Sequence, residues 1–284
     1  MRRLPTYFLT TVLFILTIAT SVSYAANYRL SMLPRYSTEE INARIVPLAK
    51  YLSKKTGLII TPTLTSTFDQ YTKQLLNGSI DIGYQNPLIY VLASDAHEVM
   101  AMAIKGKDHD KFRGIIITSA NSPLDTVKDL KGKRISIVGY TSAGGYLSQK
   151  LTLKENGVDV ERDCTLEEAP ENKQENVLFS VFTGDVDAGF IRESALHKAD
   201  AFVPPSAIKV LQGTAWLPNW ALSIKKSMPA EDKTKIIAAI REIQSEPAIL
   251  KALGIKAFKT AQDNEYDIVR KAVGIMNQKA KEEQ

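Results

Sequence analysis

Hydrophobic and polar positions along this chain follow two patterns in turn, one typical of strands and one typical of helices. Short apolar, β-branched runs predict strands, and apolar residues at helical spacing predict helices. The helix that starts at Ser37, for example, places Ile41 and Ile45 on one face and should end at Gly57. The predicted strands cover residues 28–33, 58–64, 80–84, 113–118, 133–138, 164–168, 186–190, 209–212 and 221–224. The predicted helices begin near residues 37, 66, 87, 123, 146, 174, 193, 229 and 263.

This alternation of strands and helices is typical of an α/β fold with mostly parallel sheets. The pattern starts again at Ser122, which predicts two lobes, the second inserted within the first. Lobe 1 should comprise residues 26–116 and 213–284, and lobe 2 should comprise residues 117–212. Two lobes joined by two chain crossings form a clamp, so we expect a ligand cleft between them.

The segment from residue 129 to residue 147 combines a short strand, a loop rich in glycine and hydroxyl groups, and the start of a helix. Thr141 and Ser142 supply hydroxyl donors, and Gly144 and Gly145 let a ligand approach the backbone. A helix N-terminus adds unpaired N–H groups and the positive end of the helix dipole, which together suit an anion. An ordinary helix cap at Ser142 fits the same residues equally well.

The first 25 residues have the pattern of a secretory signal peptide. Arg2 and Arg3 precede an apolar run at residues 8–19, and small residues stand before a cleavage site after Ala25. The run is short compared with the ~20 apolar residues that an uncleaved anchor helix needs to span a bilayer. No cysteine follows the cleavage site to carry a lipid anchor, so we expect a soluble protein in the periplasm of a Gram-negative cell.

Composition limits the chemistry that the chain can support. Without the signal peptide the formal charge falls from +5 to +3, which is too mild to indicate nucleic-acid binding. Cys164 is the only cysteine of the sequence, which excludes an internal disulfide. His97, His109 and His197 lack partners at metal-ligand spacing, so each is expected to be a surface or packing residue. We expect no metal and no cofactor.

Several segments together resemble a known family. Residues 77–87 read Asn-Gly-Ser-Ile-Asp-Ile-Gly-Tyr-Gln-Asn-Pro, and residues 183–189 read Thr-Gly-Asp-Val-Asp-Ala-Gly. Between them lie a Ser-Pro pair at residue 122, the run Asp-Leu-Lys-Gly-Lys-Arg at residues 129–134 and the loop at residues 141–146. In this order and spacing, over nearly all of residues 27–275, the chain is similar to the periplasmic solute-binding proteins of phosphate, phosphite and phosphonate ABC transporters.

The resemblance implies a bilobal α/β fold of the type II periplasmic binding proteins, and a role in transport rather than catalysis. Such proteins capture a small anionic ligand in the cleft and deliver it to the membrane permease of the transporter. We expect a monomer without a nucleic-acid partner. The residues that hold the ligand in the family fall here on Tyr36, Tyr84 or Gln85, Thr141, Ser142, Gly144, Gly145, Gln174 and Glu193.

The chain departs from the family pattern in ways that leave the ligand open. The family's Ser-Thr-Ser-Gly loop is Ser-Ala-Gly-Gly here, at residues 142–145, and Gln174 stands where a histidine is usual. A cation to neutralise a phosphonate is not obvious from the sequence, although Arg192 or Arg35 would supply one. The alternative is a neutral, singly charged or aromatic ligand in a pocket lined by Tyr36, Tyr84, Tyr146 and Trp220.

Two other classes of function are compatible with parts of the sequence. As an enzyme, the chain would need a base within hydrogen-bond reach of Ser142, but it has neither a histidine in a motif near a strand end nor a G-x-S-x-G elbow. We therefore expect no enzymatic activity. A sensory protein that reports its loaded state to a membrane kinase would have the same fold and ligand, and the sequence does not separate this role from transport.

Overall fold

The computed structural model describes residues 26–105 and 110–274. Its strands are β1 (Asn27–Met32), β2 (Ile59–Thr63), β3 (Ile82–Gln85), β4 (His97–Ile104), β5 (Lys111–Ser119), β6 (Arg134–Ile137), β7 (Thr165–Glu168), β8 (Ala188–Arg192), β9 (Ile208–Pro218), β10 (Ala221–Lys225) and β11 (Ala257–Thr260). Its α-helices are α1 (Thr38–Thr56), α2 (Phe68–Leu76), α3 (Pro87–Leu92), α4 (Ser148–Glu155), α5 (Val160–Asp163), α6 (Gln174–Thr183), α7 (Ala230–Glu242), α8 (Pro247–Leu253) and α9 (Asp267–Ala272).

Three predictions lie outside the described residues: the signal peptide, the surface or packing role of His109, and the end of the last predicted helix. Within the described ranges, no helix has the length and apolar character needed to cross a membrane. His97 packs in the interior and His197 is exposed, as predicted.

The strands form two sheets, with the orders β11-β4-β10-β3-β1-β2 and β7-β6-β8-β5-β9. β1 pairs in parallel with β2 and β3, and β6 pairs in parallel with β7 and β8. The strands β5, β9, β10 and β11 pair antiparallel with their neighbours, so the prediction of mostly parallel sheets is wrong. Apolar runs mark a strand but not its direction: β10 returns to the first sheet from β9 of the second sheet and lies antiparallel between β3 and β4.

The hydrophobic pattern misses β4, β11 and α8. β4 reads His-Glu-Val-Met-Ala-Met-Ala-Ile, in which Ala and Glu have little tendency to form strands. It becomes a strand because β10 and β11 pair with its two sides. β9 runs to Pro218 and therefore includes Trp216, which the sequence places in a loop. The helices expected at residues 123 and 193 are short 3-10 turns, Val127–Leu130 and Glu193–Ala195.

The prediction for α1 is confirmed down to its caps. The Ser37 hydroxyl accepts the Glu40 N–H at 3.2 Å, and the Glu40 carboxylate accepts the Ser37 N–H at the same distance, which is a capping box. Gly57 ends the helix in the left-handed conformation, with φ of 72°. The apolar face of α1 is buried in the first core. This packing fixes the loop between β1 and α1 at the carboxyl end of β1.

Each sheet has its own hydrophobic core or cores. One cluster surrounds the first sheet, and two smaller clusters cover opposite faces of the second, where Ile116 and Ile117 of β5 point to different sides. The chain passes from the first sheet to the second between Ile104 and Lys111 and returns between Pro218 and Ala221. The lobe boundaries predicted at residues 116/117 and 212/213 fall inside β5 and β9, and both strands lie wholly in the second sheet.

Candidate functional site

A small internal cavity lies where residues that follow strands of the two sheets face each other. Its volume is about 20 Å³, which is close to the room that one water molecule needs. From the first sheet and its return crossing come Leu33, Arg35, Phe68, Asn86 and Trp220. From the second come Phe112, Ser142, Ala143, Gly144, Gln174 and Arg192.

Four helical segments begin at this cavity. Phe68 is the first residue of α2, Asn86 is the N-cap of α3, and Gln174 is the first residue of α6. Ser142 is the N-cap of a single wide turn, Ala143–Leu147, that leads into α4. The first N–H groups of a helix lack intrahelical acceptors and carry the positive end of its dipole. The cavity is therefore electropositive before any charged side chain is considered.

Arg192, the last residue of β8, brings a full positive charge into this cavity. Its side chain is buried, and its guanidinium lies 3.9 Å from the centre of the Phe112 ring. Nη2 donates a long hydrogen bond of 3.4 Å to Asn219 Oδ1, while Nε and Nη1 are buried without a partner. Burial and the charge of Arg35 lower the pKa of the Arg192 guanidinium to about 9, so the group remains cationic at neutral pH.

Further cations surround Arg192. Arg35 lines the same cavity and its buried Nε also lacks a partner. Its guanidinium lies 5.4 Å from the Trp220 ring and 4.8 Å from the Tyr36 ring. Burial, together with the charges of Arg192 and Arg35, lowers the pKa of the Lys105 ammonium to about 6. The part of this pKa shift that comes from neighbouring cations shows that positive charge is concentrated around Lys105.

Two polar side chains add hydrogen-bond donors. Ser142 Oγ accepts the Gly145 N–H at 3.1 Å, so its own proton is free to be donated. Asn219 is fully buried; its Oδ1 accepts the Trp220 N–H at 2.9 Å, and its Nδ2 has no partner. A buried donor without an acceptor costs free energy, which an anionic ligand would recover.

Ser142, Gly144 and Gln174, of the predicted site residues, line the cavity. A Cβ at Gly144 would lie 2.9 Å from the Phe112 ring and 3.2 Å from Arg192 Cβ, which shows how closely the backbone approaches the arginine. Gln174 Oε1 accepts the Arg192 N–H at 2.8 Å and so fixes the end of β8.

The loop at residues 141–145 holds two more predicted residues, which act through their backbone. The Thr141 carbonyl accepts a hydrogen bond of 3.0 Å from Asn86 Nδ2, which joins the two sheets across the cavity. Gly145 donates its N–H to Ser142, and its carbonyl accepts the Val138 N–H at 3.2 Å. A Cβ at Gly145 would lie only 2.4 Å from Val138 Cγ2, so the strand end leaves no room for a side chain there.

The two predicted tyrosines lie beside the cavity rather than in its lining. Tyr36 forms part of a wider cavity of about 520 Å³ at the mouth of the cleft, together with residues of both sheets. Burial raises the pKa of Tyr36, but the charges of Arg35, Arg44 and Lys198 outweigh this effect and the net shift is downward. Tyr84 is buried, and its ring packs edge-on against Trp220 at 5.2 Å. Burial raises the pKa of the Tyr84 hydroxyl.

Gln85 and Glu193 are engaged elsewhere. Gln85 is fully buried in the first core, where its Oε1 accepts the Tyr71 hydroxyl at 2.9 Å and its Nε2 donates to Ser223 at 2.8 Å. Glu193 Oε1 accepts two hydrogen bonds from Arg113, at 2.6 and 3.0 Å, on the partly exposed side of the second sheet. Neither side chain lines the cavity between the sheets.

Sequence reasoning missed Phe68, Asn86, Phe112 and Asn219. Asn86 stands directly before Pro87 at a helix start, a signal that could have marked it as a cap facing the cleft. Nothing in the sequence distinguishes Asn219, because its role depends on the path of the chain between the sheets. Within the described ranges there is no cluster of three or more His, Cys, Asp or Glu side chains suited to a metal ion.

Comparisons with known proteins show the family to which this chain belongs. Residues 30–266 match the sequence model of the family described as "ABC transporter, phosphonate, periplasmic substrate-binding protein". The phosphate-import protein PhnD of Mycolicibacterium smegmatis is 23% identical over 189 residues, which is 63% of this chain. The match covers 59% of the length of that relative.

Solved structures share the fold. The chain superposes on PhnD1 of Prochlorococcus marinus, solved in complex with methylphosphonate, with a TM-score of 0.74 and 15% identity, over 88% of this chain and 99% of that one. A binding protein component of an ABC phosphonate transporter of Pseudomonas aeruginosa gives a TM-score of 0.72 and 16% identity, over 88% and 86% of the two chains. Both are bilobal periplasmic binding proteins.

Proposed function

Because the chain belongs to the family of periplasmic substrate-binding proteins of phosphonate ABC transporters, we propose that it captures a small phosphonate-, phosphite- or phosphate-like oxyanion between its two sheets. It then delivers this anion to the membrane permease of an ABC transporter. The proposal includes a periplasmic location after removal of the signal peptide, a monomeric state, and no catalytic activity.

One observation supports this proposal above all others: a buried guanidinium without a counter-ion. Arg192 is 5% exposed, and two of its three nitrogens have no hydrogen-bond partner. A buried charge is costly unless it is paired, and the described residues that line the cavity include no carboxylate to pair with it. An oxyanion would supply the missing charge and the missing acceptors together.

The surrounding groups are suited to the same ligand. Arg192 would donate through Nε and Nη1, and Arg35 would donate through Nε. Ser142 would donate one hydrogen bond, and the helix starts would add backbone N–H groups. Arg192 would thus replace the two hydroxyl donors that the loop lacks at residues 143 and 144.

Capture requires the two sheets to separate and close again. A volume of about 20 Å³ is too small for a phosphonate, which has at least five heavy atoms. Contacts that cross the cleft, such as the hydrogen bond of 3.0 Å from Lys173 Nζ to the Tyr36 carbonyl, would break on opening. A ligand that touches residues of both sheets binds the closed form better and shifts the population toward it.

Calorimetry with phosphate, phosphite and methylphosphonate tests the proposal on the protein as secreted. At least one of them should bind with a Kd of about 1 μM or below, and the same ligand should raise the Tm by mass action on the folded state. Native mass spectrometry of protein purified without refolding would identify a ligand retained from the cell. Lack of binding by all three anions would overturn the proposal, although the fold would remain.

A further inference from the structure

The inner cavity carries positive charge without any negative charge. Arg35 and Arg192 line it, and the described residues around it include no Asp or Glu. Two acidic residues that stand next to lining residues are paired with cations, and Asp69, next to Phe68, is exposed. Glu193 pairs with Arg113 at 2.6 Å, and Glu175 pairs with Lys198 at 2.9 Å.

The side chains that surround the inner cavity also carry positive charge. Three cations surround the Tyr36 ring: Arg35 at 4.8 Å, Arg44 at 4.1 Å and Lys198 at 5.0 Å from its centre. Glu39 and Glu171 line the mouth of the cleft rather than the inner cavity. A positive group on a ligand would therefore meet cations close to the oxyanion and could reach a carboxylate only farther out.

Part of the remaining lining is apolar. Leu33, Phe68, Phe112 and Trp220 contribute hydrocarbon surface, so a short alkyl substituent would lose little by leaving water. An ammonium group in the same position would lose its hydration and be repelled by two guanidinium groups. The methyl and ammonium groups have nearly the same size, so the site would distinguish them by charge alone.

We infer that the site selects a compact dianion with a short apolar substituent or none, and rejects a phosphonate that carries an ammonium group one carbon from the phosphorus. This inference rests on the proposed function and refines its substrate class. It assigns to Arg35 a part in selectivity, because it is the second unpartnered cation of the cavity.

Ethylphosphonate and aminomethylphosphonate form a matched pair, since they differ by a methyl group in place of an ammonium group. Calorimetry should use wild-type protein at a pH at which both phosphonate groups are doubly ionised and the amine is still protonated, with methylphosphonate as the reference. Ethylphosphonate should bind at least about 10-fold more tightly than aminomethylphosphonate. In Arg35→Met both affinities should fall. The ratio of the ethylphosphonate affinity to the aminomethylphosphonate affinity should move closer to one, because one of the two repelling cations is gone.

Equal or tighter binding of aminomethylphosphonate would overturn the inference, while the proposed function would stand. Binding of methylphosphonate but of neither test ligand would also overturn it, because the apolar wall would then not accept an ethyl group. An unchanged ratio in Arg35→Met would remove the electrostatic explanation. If phosphate, phosphite and every phosphonate failed to bind, the proposed function would fall first and the inference with it.

Discussion

Arg192 and His97 are buried side chains that can both carry a positive charge, but only His97 has a hydrogen-bond partner for each of its polar atoms. His97 Nε2 donates to the Ile80 carbonyl at 3.1 Å, and its Nδ1 contacts Ser223 Oγ at 3.1 Å. Every polar atom of that imidazole is used in the neutral form. Arg192 has two free donors beside a cavity. The first residue supports the fold, and the second has donors that the proposed anion would satisfy.

Arg192→Met should separate binding from stability. Loss of charge-assisted hydrogen bonds worth about 1.5–3 kcal/mol should weaken anion binding by at least about 10-fold. The Tm of the ligand-free protein should rise, because a buried charge without a partner is replaced by an apolar chain of similar length. Calorimetry and thermal unfolding of the same samples measure both effects.

Arg113→Met is the matched control for this experiment. Arg113 also lies in the second sheet, but it is paired with Glu193 and partly exposed. Loss of a partly exposed ion pair should cost no more than about 1 kcal/mol of stability, and affinity should stay within about twofold of wild type. Equal loss of affinity in both variants would show that general positive charge, rather than the free guanidinium in the cavity, holds the anion.

His97 should make the protein less stable in acid. Burial lowers its pKa from 6.5 to about 4, so below pH 6.5 the unfolded chain takes up a proton that the folded chain does not. The contribution to stability is therefore complete above pH 6.5 and is lost as the pH falls toward 4, by at most roughly 3 kcal/mol. Denaturant unfolding between these pH values measures the slope, and His97→Gln should flatten it.

At the scale of the element, the wide helical turn Ala143–Leu147 differs from the sequence prediction in an informative way. The pattern predicts a helix from residue 146, whereas helical structure begins at Ala143 with Ser142 as its cap. Glycines are poor helix formers, so a pattern-based reading ends the loop after them. Here the glycines lie inside the first turn because Phe112, Arg192 and Val138 leave no space for side chains.

Ser142→Ala and Ser37→Ala together should distinguish a helix cap from a ligand contact. Each serine hydroxyl accepts one N–H at a helix start, so each change should cost about 1 kcal/mol of stability. Only Ser142 lines the inner cavity, so only Ser142→Ala should lower anion affinity, by about fivefold or more for one lost hydrogen bond. If the two variants keep the same affinity, Ser142 is a cap and nothing else.

At the scale of the whole molecule, two crossings connect the two sheets, between Ile104 and Lys111 and between Pro218 and Ala221. Asn219 belongs to the second crossing and touches the first, because its N–H donates to the Asp110 carbonyl at 2.7 Å. Its side chain also accepts from Arg192. We propose these crossings as the hinge, in place of the boundaries expected from the sequence.

Ligand binding should close the cleft. Solution scattering should give a larger radius of gyration for ligand-free protein than for protein saturated with the anion, because a clamp that binds residues of both sheets favours the closed form. Lys173→Met removes a hydrogen bond across the mouth without changing the inner cavity, so it should open the ligand-free form further and still close with ligand. An unchanged radius in both proteins at saturation would rule out the clamp.

The fold was predictable where local chemistry decides it. α1 follows from its caps and its apolar stripe, and β2 and β6 follow from their β-branched residues. β4 was not predictable, because its strand character comes from two partners that join it from distant parts of the chain. Membership of the family could be inferred from the order of short motifs, and the match over residues 30–266 confirms it.

By itself, the sequence determined the α/β class, most element positions and the loop at residues 142–144 that lines the cavity, because periodicity, caps and glycines act over a few neighbouring residues. Only the tertiary structure decided which charges face the cavity. Arg113 and Arg192 look alike in the sequence, yet one is neutralised by Glu193 and the other is buried without a partner. That difference arises because pairing and desolvation depend on groups that the fold brings together from far along the chain, and it decides where an anion can bind.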